Sequence, residues 1–131
     1  MSSFVSDEEF KKLYESILNL DPGVRFIVII DSQGQIVSGG QREGNQNYLD
    51  PLDQQLSIKH ALESWRLRIQ FADKIGQAKF ALAEYEKLKR YTVPIDQNHL
   101  IYITTEPDIS HHSFMQDVLN LVETHKKNRN S

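Results

Sequence analysis

The run Val24-Arg25-Phe26-Ile27-Val28-Ile29-Ile30 constrains this chain more than any other stretch, because it holds its highest density of β-branched residues and reads as a strand. Side chains of a strand alternate between faces, so Val24, Phe26, Val28 and Ile30 are expected to point one way and Ile27 and Ile29 the other. Both faces are apolar. Such a strand has to be covered above and below, which places it inside a sheet with helices on two sides. Asp31-Ser32-Gln33-Gly34 then reads as a tight turn, with Gly34 free to take positive φ, leading into a second strand over Gln35-Ile36-Val37-Ser38-Gly39-Gly40.

The remaining segments fall into place around that hairpin. Ser6 and Glu9 have capping-box spacing, and Phe10, Leu13, Tyr14, Ile17 and Leu18 make one apolar helical stripe. Asp21-Pro22-Gly23 ends it. After a polar, glycine-rich loop, Asp50 suits an N-cap and Pro51 a first helical position. The long helix expected over Pro51 to Ala72 carries Ile58, Ala61, Leu62, Trp65, Ile69 and Ala72 as its main stripe. Three strands follow, at about Gln77 to Tyr85, Leu88 to Ile95 and His99 to Thr105, with turns at Glu86-Lys87 and Asp96-Gln97-Asn98. Pro94 belongs near a strand end, since it cannot donate to the ladder. Leu100-Ile101-Tyr102-Ile103 is again apolar on both faces and should lie beside the first strand. Asp108 or Ser110 caps a last helix with the stripe Phe114, Met115, Val118, Leu119, Leu121 and Val122, and the polar segment from His125 should fray into solvent.

The expected fold is therefore α+β: a five-stranded antiparallel sheet sandwiched between one long central helix and two terminal helices, in the order α-β-β-α-β-β-β-α. One domain is expected over residues 5–126, with a polar tail at 127–131. A length of 131 residues leaves no room for a second core of ordinary size.

A net charge of −3 supplies no positive field for sequence-independent nucleic-acid binding. Without cysteine there is no disulfide, thiolate nucleophile or thiolate metal site, and a cytoplasmic location fits. The acidic start Met1-Ser2-Ser3-Phe4-Val5-Ser6-Asp7-Glu8-Glu9 lacks the basic and apolar regions of a signal peptide, and no apolar run is long enough for a membrane span.

Candidate sites are few. Leu56, His60, Leu67 and Phe71 fall on the side of the long helix opposite its main stripe, more apolar surface than a monomer needs there, so they read as an interface; the alternative is the scatter of apolar residues found on any surface. Gly39, Gly40 and Gly44 around Arg42 could expose backbone N–H groups as an anion or partner loop, although the Lys-Ser/Thr of a P-loop is missing. The alternative is a bulge and a tight exit from the strand. His99, His111 and His112 lack the three- or four-residue spacing that aims ligands from one helix face, so no metal is expected. No nucleophile elbow, HExxH or paired-acid signature is present, so neither catalysis nor a cofactor is expected. Lys79, Lys87, Lys89 and Arg90, among Glu84, Tyr85 and Glu86, read as a mixed solvated face.

The order of elements resembles the roadblock family of dynein light chains and related regulators, and is close to longin and profilin-like folds. Asp21-Pro22 through Ile30-Asp31, Gly39-Gly40 with Arg42 and Gly44, Lys79-Phe80-Ala81-Leu82-Ala83 and Ile103-Thr104-Thr105-Glu106-Pro107-Asp108 also resemble a family of small uncharacterised archaeal proteins. The roadblock resemblance implies a homodimer built from the long middle helix and the neighbouring edge strand, serving as a scaffold or regulator of a protein partner such as a small GTPase. Lys59, Arg66 and Arg68 depart from that pattern by making the helix more basic. The profilin-like resemblance implies instead a small-ligand sensing domain.

Overall fold

The computed structural model of the protein describes residues 2–130, with side chains described over 8–129. Its elements are α1 (Ser2–Leu18), β1 (Val24–Asp31), β2 (Ile36–Gln41), α2 (Pro51–Ile69), α3 (Ala72–Ile75), β3 (Ala81–Glu84), β4 (Lys89–Asp96), β5 (His99–Thr105) and α4 (His111–Asn130). The five strands form one antiparallel sheet in the order β2-β1-β5-β4-β3. The two strands that are apolar on both faces thus lie side by side in its interior.

On one face α1 and α4 close a continuous core. Phe10, Leu13 and Ile17 from α1 and Phe114, Met115, Val118 and Val122 from α4 meet Ile27, Ile29, Ile101 and Ile103. On the other face Ile58, Ala61, Leu62 and Trp65 of α2 cover Val28, Ile30, Leu100 and Tyr102. Each such Leu or Ile contributes roughly 1.5 to 3 kcal/mol by leaving water. The start of α2 follows the expected chemistry: the Asp50 side chain accepts from the Asp53 N–H at 2.8 Å, and Pro51 opens the helix. Gly39 is required by space as well as by its φ of +97°, because a Cβ there would stand 2.2 Å from the Ile27 carbonyl oxygen.

Several expectations need correction. Val24 joins Ile27 and Ile29 on the α1/α4 face, not Phe26, because the pairing with β5 shifts register between Val24 and Phe26 and turns the strand over at that point. The backbone is already helical at Ser6, so no helix starts there; the Ser6 side chain lies outside the described residues. α2 stops at Ile69, which is 46% exposed and leaves the main stripe with Ile58, Ala61, Leu62 and Trp65, and Ala72 opens the short α3, which Gly76 ends at φ +88°. β3 holds only Ala81–Glu84. The C-terminal residues continue α4 to Asn130, and His125, expected in solvent, is 5% exposed and stacked on Phe10 with ring centroids 5.4 Å apart. Among the described residues no helix is long and apolar enough to cross a membrane.

Candidate functional site

Strand pairing assembles the site's floor. Gln41 of β2 pairs with Phe26 of β1, Phe26 with Thr104 of β5, and Thr104 with Arg90 of β4, so four residues distant in sequence make one row across the sheet. Above this row a groove of about 970 Å³ opens between the N-terminal part of α2 and the segments carrying Tyr48 and Tyr85 to Leu88.

A polar relay stands on the floor. The Tyr102 side chain is 1% exposed, and its hydroxyl lies 2.7 Å from the Ser57 hydroxyl, reached from α2. Arg90 Nη1 donates to the same Ser57 oxygen at 3.1 Å, and its guanidinium stands 6.0 Å from the Tyr102 ring centroid. Phe26 meets that ring edge-on at 5.8 Å. Burial pushes the Tyr102 phenol up from its ordinary value, against the opposing pull of Ser57 and Arg90, so the phenol keeps its proton at neutral pH. Two further groups in the groove are buried without a hydrogen-bond partner among the described residues, Gln41 Oε1 and Gln54 Nε2. Native interiors seldom leave such atoms unpaired.

The outer wall is held by arginine. Arg25 pairs with Glu106, donates to the Gln46 carbonyl at 2.6 Å and stands 4.3 Å from the Tyr48 ring centroid. This tethers the long loop to the sheet and turns Tyr48 over the groove.

The sequence-derived candidates separate. Leu56 and His60 line the groove, whereas Leu67 and Phe71 lie further along the outer side of α2 and its exit. All four are exposed, Leu67 by 58% and Phe71 by 55%. In the loop, Arg42 is spent on backbone: it donates to the carbonyls of Val24 at 2.6 Å, of Asp21 at 3.1 Å and of Leu18. Its guanidinium caps the end of α1 and the turn into β1, while Gly39 and Gly40 lie in β2 and Gly44 in the loop beyond. His99 pairs with Asp96 at 2.9 Å and His111 reaches Lys89 at 3.2 Å, at opposite ends of β4, roughly 23 Å apart at strand rise.

Sequence reasoning missed Ser57, Tyr102, Gln41, Gln54 and the part played by Arg25, and it placed Lys89 and Arg90 together on a solvated face. Neighbours in a strand point to opposite faces. Lys89 is buried and donates to the Ile109 carbonyl at 2.6 Å, whereas Arg90 enters the groove. The alternation was the available signal.

A five-stranded antiparallel sheet with a long helix on one face and two terminal helices on the other is the fold of Roadblock/LC7 domains, and solved structures of that class superpose on the chain. A Roadblock/LC7 domain from Streptomyces avermitilis gives a TM-score of 0.68 at 11% identity, covering 92% of this chain and 98% of that one. The gliding protein MglB from Thermus thermophilus gives 0.69 at 12% identity, covering 92% and 90%. A structure described as MglB with tetrameric arrangement gives 0.61 at 12% identity, covering 87% and 88%. No protein-family model and no curated protein matches the sequence, so the likeness is one of fold.

Proposed function

We propose that this chain is a non-enzymatic interaction module: a cytoplasmic, homodimeric roadblock-fold scaffold or regulator of a protein partner, with a small GTPase as the partner class. The observation that carries this reading is the outer side of α2. There Leu52, Leu56 and Leu67, with Phe71 just beyond the helix, are each more than half exposed. Apolar side chains aligned on one helix are a feature of interfaces. The tetrameric arrangement named for an MglB structure of the same fold supports self-association. In an isologous contact each substitution acts twice. Sedimentation should find a dimer at micromolar concentration, with Leu67→Glu or Phe71→Glu giving a folded monomer. A monomeric parent, or a mass unchanged by Phe71→Glu, removes this interface.

The groove beside α2 supports a second reading, a small-ligand sensing domain, because it brings convergent polar groups into an apolar cleft.

A further inference from the structure

We propose that the groove beside α2 binds a small monocarboxylate with an extended apolar body, its carboxylate seated on Arg90 and the Ser57–Tyr102 hydroxyl pair.

The donors at the floor outnumber their acceptors. Ser57 and Tyr102 carry two hydroxyl hydrogens, and the 2.7 Å bond between them uses one, so whichever oxygen donates, one O–H is left over. Arg90 has five N–H groups; one donates to the Ser57 hydroxyl at 3.1 Å and another is directed at the Tyr102 hydroxyl, which leaves donors to spare. It makes no ion pair among the described residues, unlike Arg25, whose charge Glu106 neutralises. The unpartnered Gln54 amide nitrogen adds another donor to the groove, against a single unpartnered acceptor among the described residues there, Gln41 Oε1. A half-buried cation with spare donors beside a spare hydroxyl hydrogen is chemically matched by a carboxylate, which only accepts and can take a guanidinium in two bonds. The acids of the groove, Asp53, Glu63 and Glu86, are exposed at its rim, where water screens them.

The rest of the groove calls for an apolar body. Phe26 and Tyr102 form the floor beside the relay, Leu56 and Leu88 stand on opposite walls, and Tyr48 is held over the cleft by Arg25. At about 970 Å³ the space lies near the upper end of the roughly 300 to 1,000 Å³ of ordinary ligand sites, which suits an elongated molecule.

Calorimetric titration of the full chain with dodecanoate, kept below its micellar concentration, tests this. The expected result is one site per chain with a Kd on the order of 10 µM. Dodecanol and dodecylamine should bind about 10-fold more weakly or not at all, and Arg90→Gln should weaken dodecanoate about 10-fold. Because Arg90 sits inside the sheet, paired with Ala83 and Thr104, NMR of the unaltered chain supplies an independent readout, in which dodecanoate shifts the Gln54 and Arg90 side-chain signals and the Ser57 and Tyr102 amides. Leu56 borders both the groove and the outer stripe of α2, but Leu67→Glu lies outside the groove and should keep dodecanoate binding whatever it does to the oligomer, so this variant separates the inference from the dimer. Absent binding, equal binding of dodecanol, or shifts gathered away from the groove would overturn the proposal. So would a peptide with a free C-terminal carboxylate that binds where dodecanoate does not, which assigns the groove to a protein partner.

Discussion

The two faces of the sheet are made from the same strands but are closed to different degrees. Under α1 and α4, Ile27, Ile29, Ile101 and Ile103 are each 0% exposed and meet two helices. Under α2 the apolar patch is smaller, and the row Gln41, Phe26, Thr104 and Arg90 is left as the floor of a groove with unpaired polar atoms. A filled core leaves no room for a ligand and holds the fold; a face covered by one helix gives up some buried area and keeps an open cleft. The α1/α4 face should therefore respond to substitution in stability, and the α2 face in recognition.

Adjacent residues of β5 give the sharpest contrast. Ile103→Ala, on the closed face, is expected to cost about 3 to 4 kcal/mol in urea unfolding. Thr104→Ala, on the groove floor, should cost less than about 1 kcal/mol. Equal losses would break the distinction. Arg42→Ala removes charged donors from three carbonyls, and a loss of about 2 kcal/mol with unchanged sedimentation would place this residue in structure alone. For Tyr102→Phe the expected loss is about 1 kcal/mol, since Ser57 keeps its bond from Arg90. A loss above about 3 kcal/mol would mean that the relay supports the fold as the closed core does.

The smallest effect concerns pH and belongs to the closed face. Burial lowers the His125 pKa, helped by Arg129 and opposed by Glu9 and Asp96, with His99 a further weak depressing charge. A depressed value means that the unfolded chain takes up the proton first. Stability is then full above about pH 6.5, the ordinary histidine value, and declines as pH falls from there through the folded value. His125→Leu should flatten that part of the stability profile, and a profile unchanged between the two chains would remove His125 as its source.

How much was legible in the residues follows from how local each feature is. The two strands apolar on both faces, the α2 stripe of Ile58, Ala61, Leu62 and Trp65, the Asp50-Pro51 start and the Gly34 turn are set by periodicity and backbone chemistry within a few residues, and the structure keeps them. The exposed side of α2 was equally readable, because a helix that buries one stripe turns the opposite one outward. Features that depend on distant partners were not. Val24 changes face because of a register shift against β5, which nothing near residue 24 announces. Arg42 reads as a loop cation until α1 and β1 bring their carbonyls to it. The groove goes furthest in this respect: its floor exists only because pairing sets residues 41, 26, 104 and 90 in one row, and its relay only because α2 lowers Ser57 onto Tyr102. Periodicity determined which surfaces of each element are apolar, but strand register and helix placement decided which polar atoms meet, since hydrogen bonds need alignment within a few tenths of an ångström that no local pattern encodes.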